Sequence, residues 1–446
     1  MSGCGWRVTP PDLPGTSKHA WSSAEIDSKA AAGAPGDHWW KDVGGSSLDS
    51  LIEEGLKNSA SLEVMAGRLE VAKADAQILG APSQPTVSAS AAQRSGIRQE
   101  FETGGERASV MRYAGMAQFG WELDFWGRVH QLRQGAKQSV EMAQADYEFA
   151  RLLLAAEIAR VETARRRYAA EEKVILRSLD ANNEIVERLE ERREAGIDDD
   201  SAVDRQKAVG DAMRRDVEEM RRLQRLSELS LDRLLGREPG TGNWSKSTPS
   251  LGPPPSTPSV LPSELLTRRP DLRSAASKVA STWHISQAAT LDLLPKVSLG
   301  GLLGGRTMTI TPRIDQWVAS VGPILEIPIW DPERKAKSVR AGARADLAAS
   351  EFREAVLNAF EEVEAAYTNL AAQGRIYSSA KSSADSLEAV FSRTRERFGE
   401  GLISQLEVLE DERRTLEASR EAIRAREAHL AAWIALAKAL GATPAL

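Results

Sequence analysis

The sequence is poor in the residues from which most catalytic and metal sites are built. It has one cysteine, Cys4, so no disulfide can form within the chain and no cysteine cluster can bind a metal. Its five histidines are scattered without the spacing of metal ligands. Nothing resembles a nucleophile–base pair or a phosphate-binding loop. We therefore expect no enzymatic activity, no metal and no conventional cofactor.

Long apolar runs are also missing. No stretch of about 18 apolar residues exists, which excludes an ordinary transmembrane helix but leaves membrane-spanning strands open, because strands give a weaker sequence pattern. Only 5% of the residues are aromatic, whereas Ala, Glu, Arg and Leu are abundant, a composition typical of long helices. The balance of 58 basic and 64 acidic residues gives a net charge of -6 and no indication of nucleic-acid binding.

Two long helices dominate the predicted structure, over about 127–195 and about 332–398. At roughly 1.5 Å per residue each would approach 100 Å, which indicates an elongated bundle rather than a compact domain. Shorter helices are predicted over about 200–236 and 403–440. The last one carries an apolar residue at every seventh position, typical of a coiled-coil partner. These positions are Leu409, Leu416, Ile423, Leu430 and Ala437.

Two regions instead alternate with a period of two, which indicates β-hairpins over about 85–125 and about 295–330. Along the second predicted strand, one face is apolar and the other carries small or polar residues. The apolar face consists of Tyr113, Gly115, Ala117, Phe119, Trp121, Leu123 and Phe125. In the second hairpin the apolar positions are Val297, Leu299, Gly301, Leu303, Trp317, Ala319, Val321, Leu325, Ile327 and Ile329.

The two halves of the chain match in order, with an offset near 205 to 210. Pro85 corresponds to Pro295, and the segment 121–128 to 325–331. Glu194-Ala195-Gly196-Ile197 corresponds to Gly399-Glu400-Gly401-Leu402, and Leu234-Leu235-Gly236 to Ala439-Leu440-Gly441. We therefore predict an internal duplication. An irregular segment, 1–48, precedes the first repeat, 49–236. A linker, 237–262, separates it from the second repeat, 263–442. Each repeat has a helix, a hairpin, a long helix and a shorter helix.

Four strands in one chain cannot span a bilayer alone, because both outer edges would expose unpaired backbone groups to lipid. Three copies would supply twelve strands, and cyclic symmetry could close them. The alternative is a soluble coiled-coil structural or adaptor protein, with the strands in a small sheet against the helices. That reading does not account for two hairpins that each lead into a helix of about 65 residues.

The residues resemble the outer-membrane efflux proteins of the TolC/OprM type, the outer-membrane factors that include NodT-type lipoproteins. The resemblance covers essentially the whole chain. It is carried by Leu261–Arg273 between the repeats, by Trp121–Arg128 at a strand-to-helix junction, and by Arg397–Ser404 at a helix-hairpin tip. Trp39-Trp40 and Leu436–Gly441 also fit. Asp331-Pro332 replaces the family's usual glycine-rich turn, although a proline is acceptable in a first helical turn.

The resemblance implies a mixed α/β membrane protein. Three chains would form a twelve-stranded outer-membrane β-barrel, continued by a long periplasmic α-helical barrel with an equatorial collar. It implies a passive exit duct for drugs or metabolites, working with a periplasmic adaptor and an inner-membrane pump of the RND type. Heavy-metal efflux or type I secretion on the same fold remains an alternative, and the cargo cannot be identified.

The same resemblance implies a lipid-modified N-terminal cysteine at Cys4, carrying a diacyl and an N-acyl group in the outer membrane. Ser2-Gly3-Cys4 is how a lipoprotein cleavage box ends, and we interpret Met1 as the start of a chain from which the signal segment was removed.

Two helix-hairpin tips are the expected docking sites for the adaptor, through Gly196, Ile197, Gly401, Leu402 and Ser404. Because glycine allows a tight turn and close backbone approach, these residues could equally be simple turn residues. The first tip, 196–201, lacks the family's usual Ser and Leu positions. Its acidic run, 198–200, reads as a solvated loop, with a transient divalent-cation site as the alternative.

By resemblance, the gate would lie just after the second tip, with Leu406 as an apolar constriction and Glu410 as an acidic ring. The two are four residues apart and so share a helix face. An acidic ring on a threefold axis would favour cations. Asp411 is the neighbouring alternative, and an ordinary solvated charge is the other reading of Glu410. Four aromatic residues could form interfacial girdles or pack under the rim: Trp121, Phe125, Trp317 and Trp330.

Overall fold

The computed structural model describes residues 35–98, 108–197, 199–244, 250–258, 262–307 and 316–444. Within them the chain is mostly helical and contains one antiparallel sheet of four strands. The first repeat comprises α1 (Trp40–Asn58), α2 (Ala60–Gly80), a 3-10 turn (Ala81–Ser83), β1 (Thr86–Arg98), β2 (Ala108–Leu123), α3 (Arg128–Glu194) and α4 (Asp200–Leu234). The second comprises α5 (Pro262–Arg268), α6 (Pro270–Leu291), β3 (Lys296–Thr307), β4 (Gln316–Glu326), α7 (Pro332–Gly399) and α8 (Gln405–Ala439).

Several boundaries differ from the sequence prediction. Residues 40–48 are helical rather than irregular, with a break in helical geometry at Gly45 (φ 68°). The single helix expected at the start of the first repeat is divided at Ser59, which is extended and donates its N–H to Gly55 O at 3.0 Å. The helix expected at the start of the second repeat is divided at Arg269, because the residue before a proline is disfavoured in helical conformation.

The strands also end earlier than predicted. β2 ends at Leu123 and β4 at Glu326, so Phe125, Ile327 and Ile329 lie beyond the sheet. Period-two spacing continues past the last paired residue in each case, but only backbone pairing defines a strand, and the sequence pattern does not record where pairing stops.

The described chain forms two compact units. Among the described residues, the first comprises those between 68 and 144 and those between 274 and 354. It holds the sheet and the helix segments next to it. The second comprises the described residues between 35 and 67, between 145 and 273 and between 355 and 444, and it holds the main helical core. None of the helices in the described residues is both long and apolar enough to cross a bilayer.

The sheet has the order β1-β2-β3-β4, so β1 and β4 are its edges. Its register places Val87 opposite Phe119, Phe119 opposite Gly301, and Gly301 opposite Val321. The alternating positions predicted to be apolar therefore share one face across β2, β3 and β4, and Val87 of β1 lies on the same face. That face is uncovered, since its large side chains are mostly exposed in the chain: Val87, Leu303, Trp317, Val321 and Leu325.

The core of the second unit joins the N-terminal segment to the end of the chain. Trp39 and Trp40 are both 1% exposed, and Trp39 packs against Trp433 with 5.8 Å between ring centroids. The indole N–H of Trp39 donates to Ala442 O at 2.9 Å, and that of Trp433 donates to Ser256 O at 3.0 Å. Two tryptophans with satisfied N–H groups thus fix the N-terminal segment and the linker to the last helix.

The internal duplication is visible in the element boundaries. α2 and α6 begin 210 positions apart, at Ala60 and Pro270, and β1 and β3 begin at the same spacing. α3 and α7 begin 204 positions apart, and α4 and α8 begin 205 apart. Gly236 and Gly441 end the last helix of each repeat with φ of 75° and 72°. The offset decreases between β3 and β4 because the second hairpin is shorter.

Candidate docking tips and gate

Both helix-hairpin tips have the same backbone geometry. Gly196 has φ 74° and donates its N–H to Arg193 O, while Ile197 N–H donates to Arg192 O, each at 2.9 Å. At the second tip Gly401 has φ 76° and the corresponding bonds run from Gly401 to Phe398 and from Leu402 to Arg397, again at 2.9 Å. This is the Schellman motif, in which glycine takes a left-handed conformation that a side chain would strain.

The two tips share one small apolar core. It consists of Ile185, Leu189, Ala202, Val203, Phe398 and Val408, with Ile403 and Phe391 packed against it. Residues from α3, α4, α7 and α8 therefore meet directly above the turns. The residues that project from this core, Ile197 and Leu402, are 64% and 63% exposed. The structure thus brings both predicted docking segments together and leaves one large apolar side chain free on each.

The next helix begins differently at the two tips. Asp199 is the N-cap of α4 and accepts from Ala202 N–H at 3.0 Å and from Ser201 Oγ at 2.7 Å. The bond from Ser201, followed by that from Ala202, lowers the pKa of Asp199 below its ordinary value. Ser404 is the N-cap of α8, but its hydroxyl donates to Glu407 at 3.3 Å instead of accepting from the backbone.

One residue of the acidic run, Asp199, therefore has a structural role. Asp199 occupies the position 205 before Ser404 and supplies the capping oxygen that starts α4. Asp200 lies 3.5 Å from Arg193. Asp198 is outside the described residues, as is Cys4.

The predicted gate residues lie in the first turns of α8. Leu406 is 75% exposed, and Glu410 is half-exposed on the same face. Glu410 forms ion pairs with Arg413 at 3.2 Å and Arg414 at 2.9 Å. The Arg413 guanidinium, supported by Arg414, holds the pKa of Glu410 below its ordinary value, so the carboxylate is charged but locally compensated. Asp411 points elsewhere and accepts from Thr394 Oγ1 at 2.7 Å.

Sequence reasoning missed Glu412, which is only 2% exposed between the helices. Its carboxylate accepts from Gln206 Nε2 at 3.3 Å, and the same amide donates to Asn182 Oδ1 at 2.7 Å. Neither Glu412 Oε1 nor Gln206 Oε1 has a hydrogen-bond partner within the described part of the chain. Burial raises the pKa of Glu412 to about 7, although the Gln206 bond opposes this.

A signal for Glu412 was present in the sequence. Val408, Glu412 and Thr415 are spaced by four and three residues and are all buried, so they form one stripe of α8. An acidic residue on the buried stripe of a coiled-coil helix stands out. The predicted seam is the neighbouring set, in which Leu409, Leu416 and Ile423 are half-buried in the single chain and Leu430 and Ala437 are buried.

A further side-chain cluster lies at the start of α1, where His38, Asp49 and Glu53 come within reach of one another. Asp49 already accepts from Trp40 Nε1 at 2.8 Å, pairs with Lys41 at 3.0 Å and contacts His38 at 3.3 Å. Its oxygen atoms are thus used to hold the tryptophan segment.

The four candidate girdle residues are all exposed to some degree in the single chain, from 37% at Trp121 to 88% at Trp330. Trp121 is partly held, since its indole N–H donates to Ser83 O at 3.2 Å. An uncovered apolar sheet face next to exposed tryptophans is the arrangement of a protein whose strands meet lipid or a second chain.

The architecture defines a class of outer-membrane channel. The solved outer-membrane channel OprN superposes with a TM-score of 0.85 at 27% identity, covering 97% of this chain and 98% of that chain. The Campylobacter jejuni channel CmeC superposes with a TM-score of 0.86 at 19% identity, covering 97% and 93%. The predicted fold class, a mostly helical duplicated chain with a four-stranded sheet, is confirmed by these neighbours.

The chain belongs to the outer membrane efflux protein family, whose model matches residues 51–237 and 261–442. It is 28% identical over 445 residues to the pyoverdine export outer membrane protein OpmQ of Pseudomonas putida, covering 97% of this chain and 93% of that protein. It is 26% identical over 416 residues to the outer membrane protein OprJ of Pseudomonas aeruginosa, covering 88% and 83%. The predicted function, an outer-membrane efflux duct, is confirmed, and the family consists of transport proteins.

Glu412 makes the stability of the helical core depend on pH. Because its pKa is raised in the folded chain to about 7 from an ordinary 4.5, folding retains the proton. The associated stabilisation is complete below about pH 4.5 and is lost as the pH rises through about 7. We expect the thermal unfolding temperature of the wild type to fall between about pH 5 and pH 8, whereas Glu412→Gln should lose this slope and be the more stable protein at about pH 8.

The matched control is Glu410→Gln, two residues away on the exposed face. In the wild type the pKa of Glu410 is lowered, so this carboxylate contributes stability that is lost only as the pH falls below the ordinary pKa of a glutamate. Differential scanning fluorimetry of the three proteins across pH makes the comparison. An unchanged slope in Glu412→Gln would show that this carboxyl does not titrate in that window.

Proposed function

We propose that three copies of this chain form the exit duct of a tripartite efflux pump and pass small molecules from the pump and the periplasm to the outside. The observation that carries the trimer is the sheet, which within the described residues has one uncovered apolar face and two unpaired edges, β1 and β4. Lipid can cover the face, but only another strand can satisfy an edge. Cyclic repetition of four strands removes both edges in every copy.

The duct itself contributes little to the choice of cargo. The names of relatives include pyoverdine export for OpmQ, toluene efflux for TtgI and fusaric acid resistance for FusA. Such different compounds on similar chains support a passive duct whose cargo is selected by its pump. We propose an inner-membrane pump of the RND type and a periplasmic adaptor as the partners.

Docking of the adaptor and gating would both occur at the helix-hairpin tips. Ile197 and Leu402 are exposed beside turns held by Gly196 and Gly401, and Ser404 begins the helix that carries Leu406 and Glu410. An adaptor that covers the tips could therefore shift the first turn of α8. Three copies of Leu406 would form the constriction, and three copies of Glu410 a charged ring.

The gate proposal predicts a change in conductance. Replacing Leu406 and Glu410 together with alanine should raise the single-channel conductance several-fold in planar bilayers, because the apolar constriction and its ring of side chains are removed. Glu410→Gln alone should shift selectivity towards anions, because Arg413 and Arg414 lose the carboxylate that compensates them. Leu226→Ala, at an exposed apolar position of α4, is the control. Unchanged conductance together with unchanged selectivity would refute the gate.

The docking proposal predicts loss of export without loss of the channel. Ile197→Glu and Leu402→Glu each place a charge where an apolar contact is proposed, so the adaptor should no longer copurify and a deletion strain should stay drug-sensitive. Leu226→Glu makes the same change away from the tips. Trimer content is measured by native mass spectrometry for all three. Normal export by both tip variants would exclude these side chains from the contact.

The lipid anchor at Cys4 is likewise a proposal, based on the Ser2-Gly3-Cys4 sequence and the family resemblance. Protein isolated from its native membrane should have the mass of the chain beginning at Cys4 plus a diacylglyceryl and an acyl group, and Cys4→Ser should lack this lipid increment. An unmodified mass for the wild-type protein from membranes would contradict the proposal.

A further inference from the structure

The buried polar cluster around Glu412 contains two oxygen atoms that lack a hydrogen-bond partner. Gln206 of α4 is fully buried, and its Nε2 donates to Asn182 Oδ1 of α3 at 2.7 Å and to Glu412 Oε2 of α8 at 3.3 Å. Within the described part of the chain, Gln206 Oε1 and Glu412 Oε1 are buried and have no partner. Both atoms are acceptors, so neither can satisfy the other unless the carboxyl carries a proton.

A proton on Glu412 would satisfy both atoms at once. A carboxylic acid and a primary amide can form two hydrogen bonds side by side, in which the amide N–H donates to one carboxyl oxygen and the acid O–H donates to the amide oxygen. The structure already contains the first of these bonds, from Gln206 Nε2 to Glu412 Oε2. Two buried acceptors without a donor are costly, whereas a paired donor and acceptor contribute to stability.

The cluster is built into the helix packing. Asn182 Oδ1 accepts from Gln206 Nε2 and so favours the orientation in which the Gln206 amide presents its N–H groups to both neighbours. α4 can approach Asn182 because position 210 is glycine, where a Cβ would lie 2.8 Å from Asn182 Nδ2. Glycine weakens a helix interior, so this close packing is maintained at a cost to α4.

Charged side chains near the cluster do not compensate Glu412. Titratable residues lie within one turn of the cluster on α3, α4 and α8 and beside the α7 residues that bond to α8, Leu387 and Thr394. They are Asp180, Glu184, Asp204, Arg205, Lys207, Glu388, Arg393, Arg395, Glu410, Asp411, Arg413 and Arg414.

All of these residues are exposed except Glu410 and Asp411, which are half-buried and already bonded to Arg413 and to Thr394 respectively. Among these described residues none forms an ion pair with Glu412. Burial therefore raises the pKa of Glu412 to about 7 with only the bond from Gln206 acting in the opposite sense.

The cluster lies between a fixed point of α8 and the proposed gate. Towards the end of the chain, Arg420 pairs with Glu171 of α3 at 3.3 Å and with Asp216 of α4 at 2.5 Å, which ties α8 to both helices. In the other direction, Leu406 is exposed in the first turn of α8. At roughly 1.5 Å per residue, Glu412 is about 9 Å from Leu406 along the helix. A change in how Glu412 is held therefore acts on the part of α8 that carries the gate.

We propose that Glu412 and Gln206 form a proton-operated latch, in which protonated Glu412 donates from Oε1 to Gln206 Oε1 and keeps the first two turns of α8 against α3 and α4, and in which loss of this proton to water releases them and opens the gate. This inference rests on the proposed gate and names its regulation. The ionised carboxylate and Gln206 Oε1 repel each other, so water enters to solvate them and α8 moves away. The segment that moves is 405–419, because Arg420 remains tied to Glu171.

A water molecule or a cation between the two Oε1 atoms is the alternative to a proton. A water could donate to both atoms, and a cation could be bound by both. In either case Glu412 would be ionised at a pH at which the latch requires it to be protonated. The protonation state of this one carboxyl therefore distinguishes the latch from both alternatives.

Infrared difference spectroscopy of the assembled protein measures that state. The spectrum of the wild type minus that of Glu412→Gln should contain the carbonyl band of a protonated carboxyl at about pH 6 and lose it by about pH 8. The matched control is Glu218→Gln on α4, where the side chain is 72% exposed, and its difference spectrum should lack this band at both pH values. A Glu412 carboxyl that is ionised at about pH 6 overturns the latch.

Hydrogen–deuterium exchange measures the release of α8. The wild type and Glu412→Gln are compared at the same pH, so that the intrinsic exchange rate cancels. At about pH 8 the amides of residues 405–415 should exchange at least several-fold faster in the wild type, because the variant's amide keeps both hydrogen bonds to Gln206 at any pH. At about pH 6 the two proteins should agree, and peptides beyond Arg420 should agree throughout. Equal exchange of 405–415 at about pH 8 also overturns the latch.

Single-channel conductance connects the latch to the gate. In planar bilayers the wild-type conductance should rise several-fold between about pH 6 and about pH 8, Glu412→Gln should stay at the lower value, and Glu218→Gln should follow the wild type. A wild-type conductance that does not change over this range overturns the latch even if the variant fails to assemble. A rise in Glu412→Gln equal to that of the wild type overturns it as well.

The latch and the gate can fail separately. If replacing Leu406 and Glu410 with alanine raises the conductance while the wild type does not respond to pH, the gate stands and the latch is wrong. If that double replacement changes neither conductance nor selectivity, the gate is wrong, and the latch has no gate to control.

Discussion

The structure depends on one constraint: a strand at the edge of a sheet has backbone groups that need partners. Within the described chain, β2 and β3 are paired on both sides and β1 and β4 on one side only. The same sheet has an uncovered apolar face. A single copy satisfies neither requirement, and lipid can satisfy only the second. Assembly is therefore built into the sheet rather than added to a self-sufficient fold.

Duplication explains how one chain can provide both sides of such an interface. Each repeat ends its hairpin with a tryptophan and starts its next hairpin after a proline. Within the chain the first tryptophan reaches the second proline, from Trp126 to Pro295. The second tryptophan, Trp330, follows β4 and the first proline, Pro85, precedes β1, so the two lie beside opposite edges of the sheet. The two equivalent helices differ in the same way. On α2, Val71 and Ile78 are exposed, whereas the equivalent residues of α6, Ser281 and Ala288, are small and buried.

Polar layers interrupt the apolar core of the paired helices. Glu171 is fully buried and is held by Arg167 at 2.7 Å, Arg424 at 3.2 Å and Arg420 at 3.3 Å. Glu412 is also buried, but it accepts a hydrogen bond from the neutral amide of Gln206. A buried carboxylate is costly without compensation, so the first layer fixes which helix positions meet. In the described part of the chain no cation pairs with Glu412, and burial raises the pKa of its carboxyl to about 7.

Much of the fold was predictable because it consists of long regular elements in two repeats, and each element has a clear periodicity in the sequence. Proline-free helices, period-two strands and matching landmarks predicted the element order, the duplication and the apolar face of the sheet. The predicted ends of β2 and β4 were wrong by a few residues, because alternation continues through Phe125 and Ile329 after backbone pairing has stopped. The divisions at Ser59 and Arg269 were also missed.

The sequence by itself determined which residues are apolar, which segments are helical or extended, and that the chain contains two copies of one unit. Only the tertiary structure decided that the two tips share a core around Phe398 and Val408, that Asp199 caps a helix, and that Glu412 is buried beside Gln206. Those outcomes depend on which helix faces meet. Spacing along one helix fixes a face, but the packing of four helices fixes what lies opposite it.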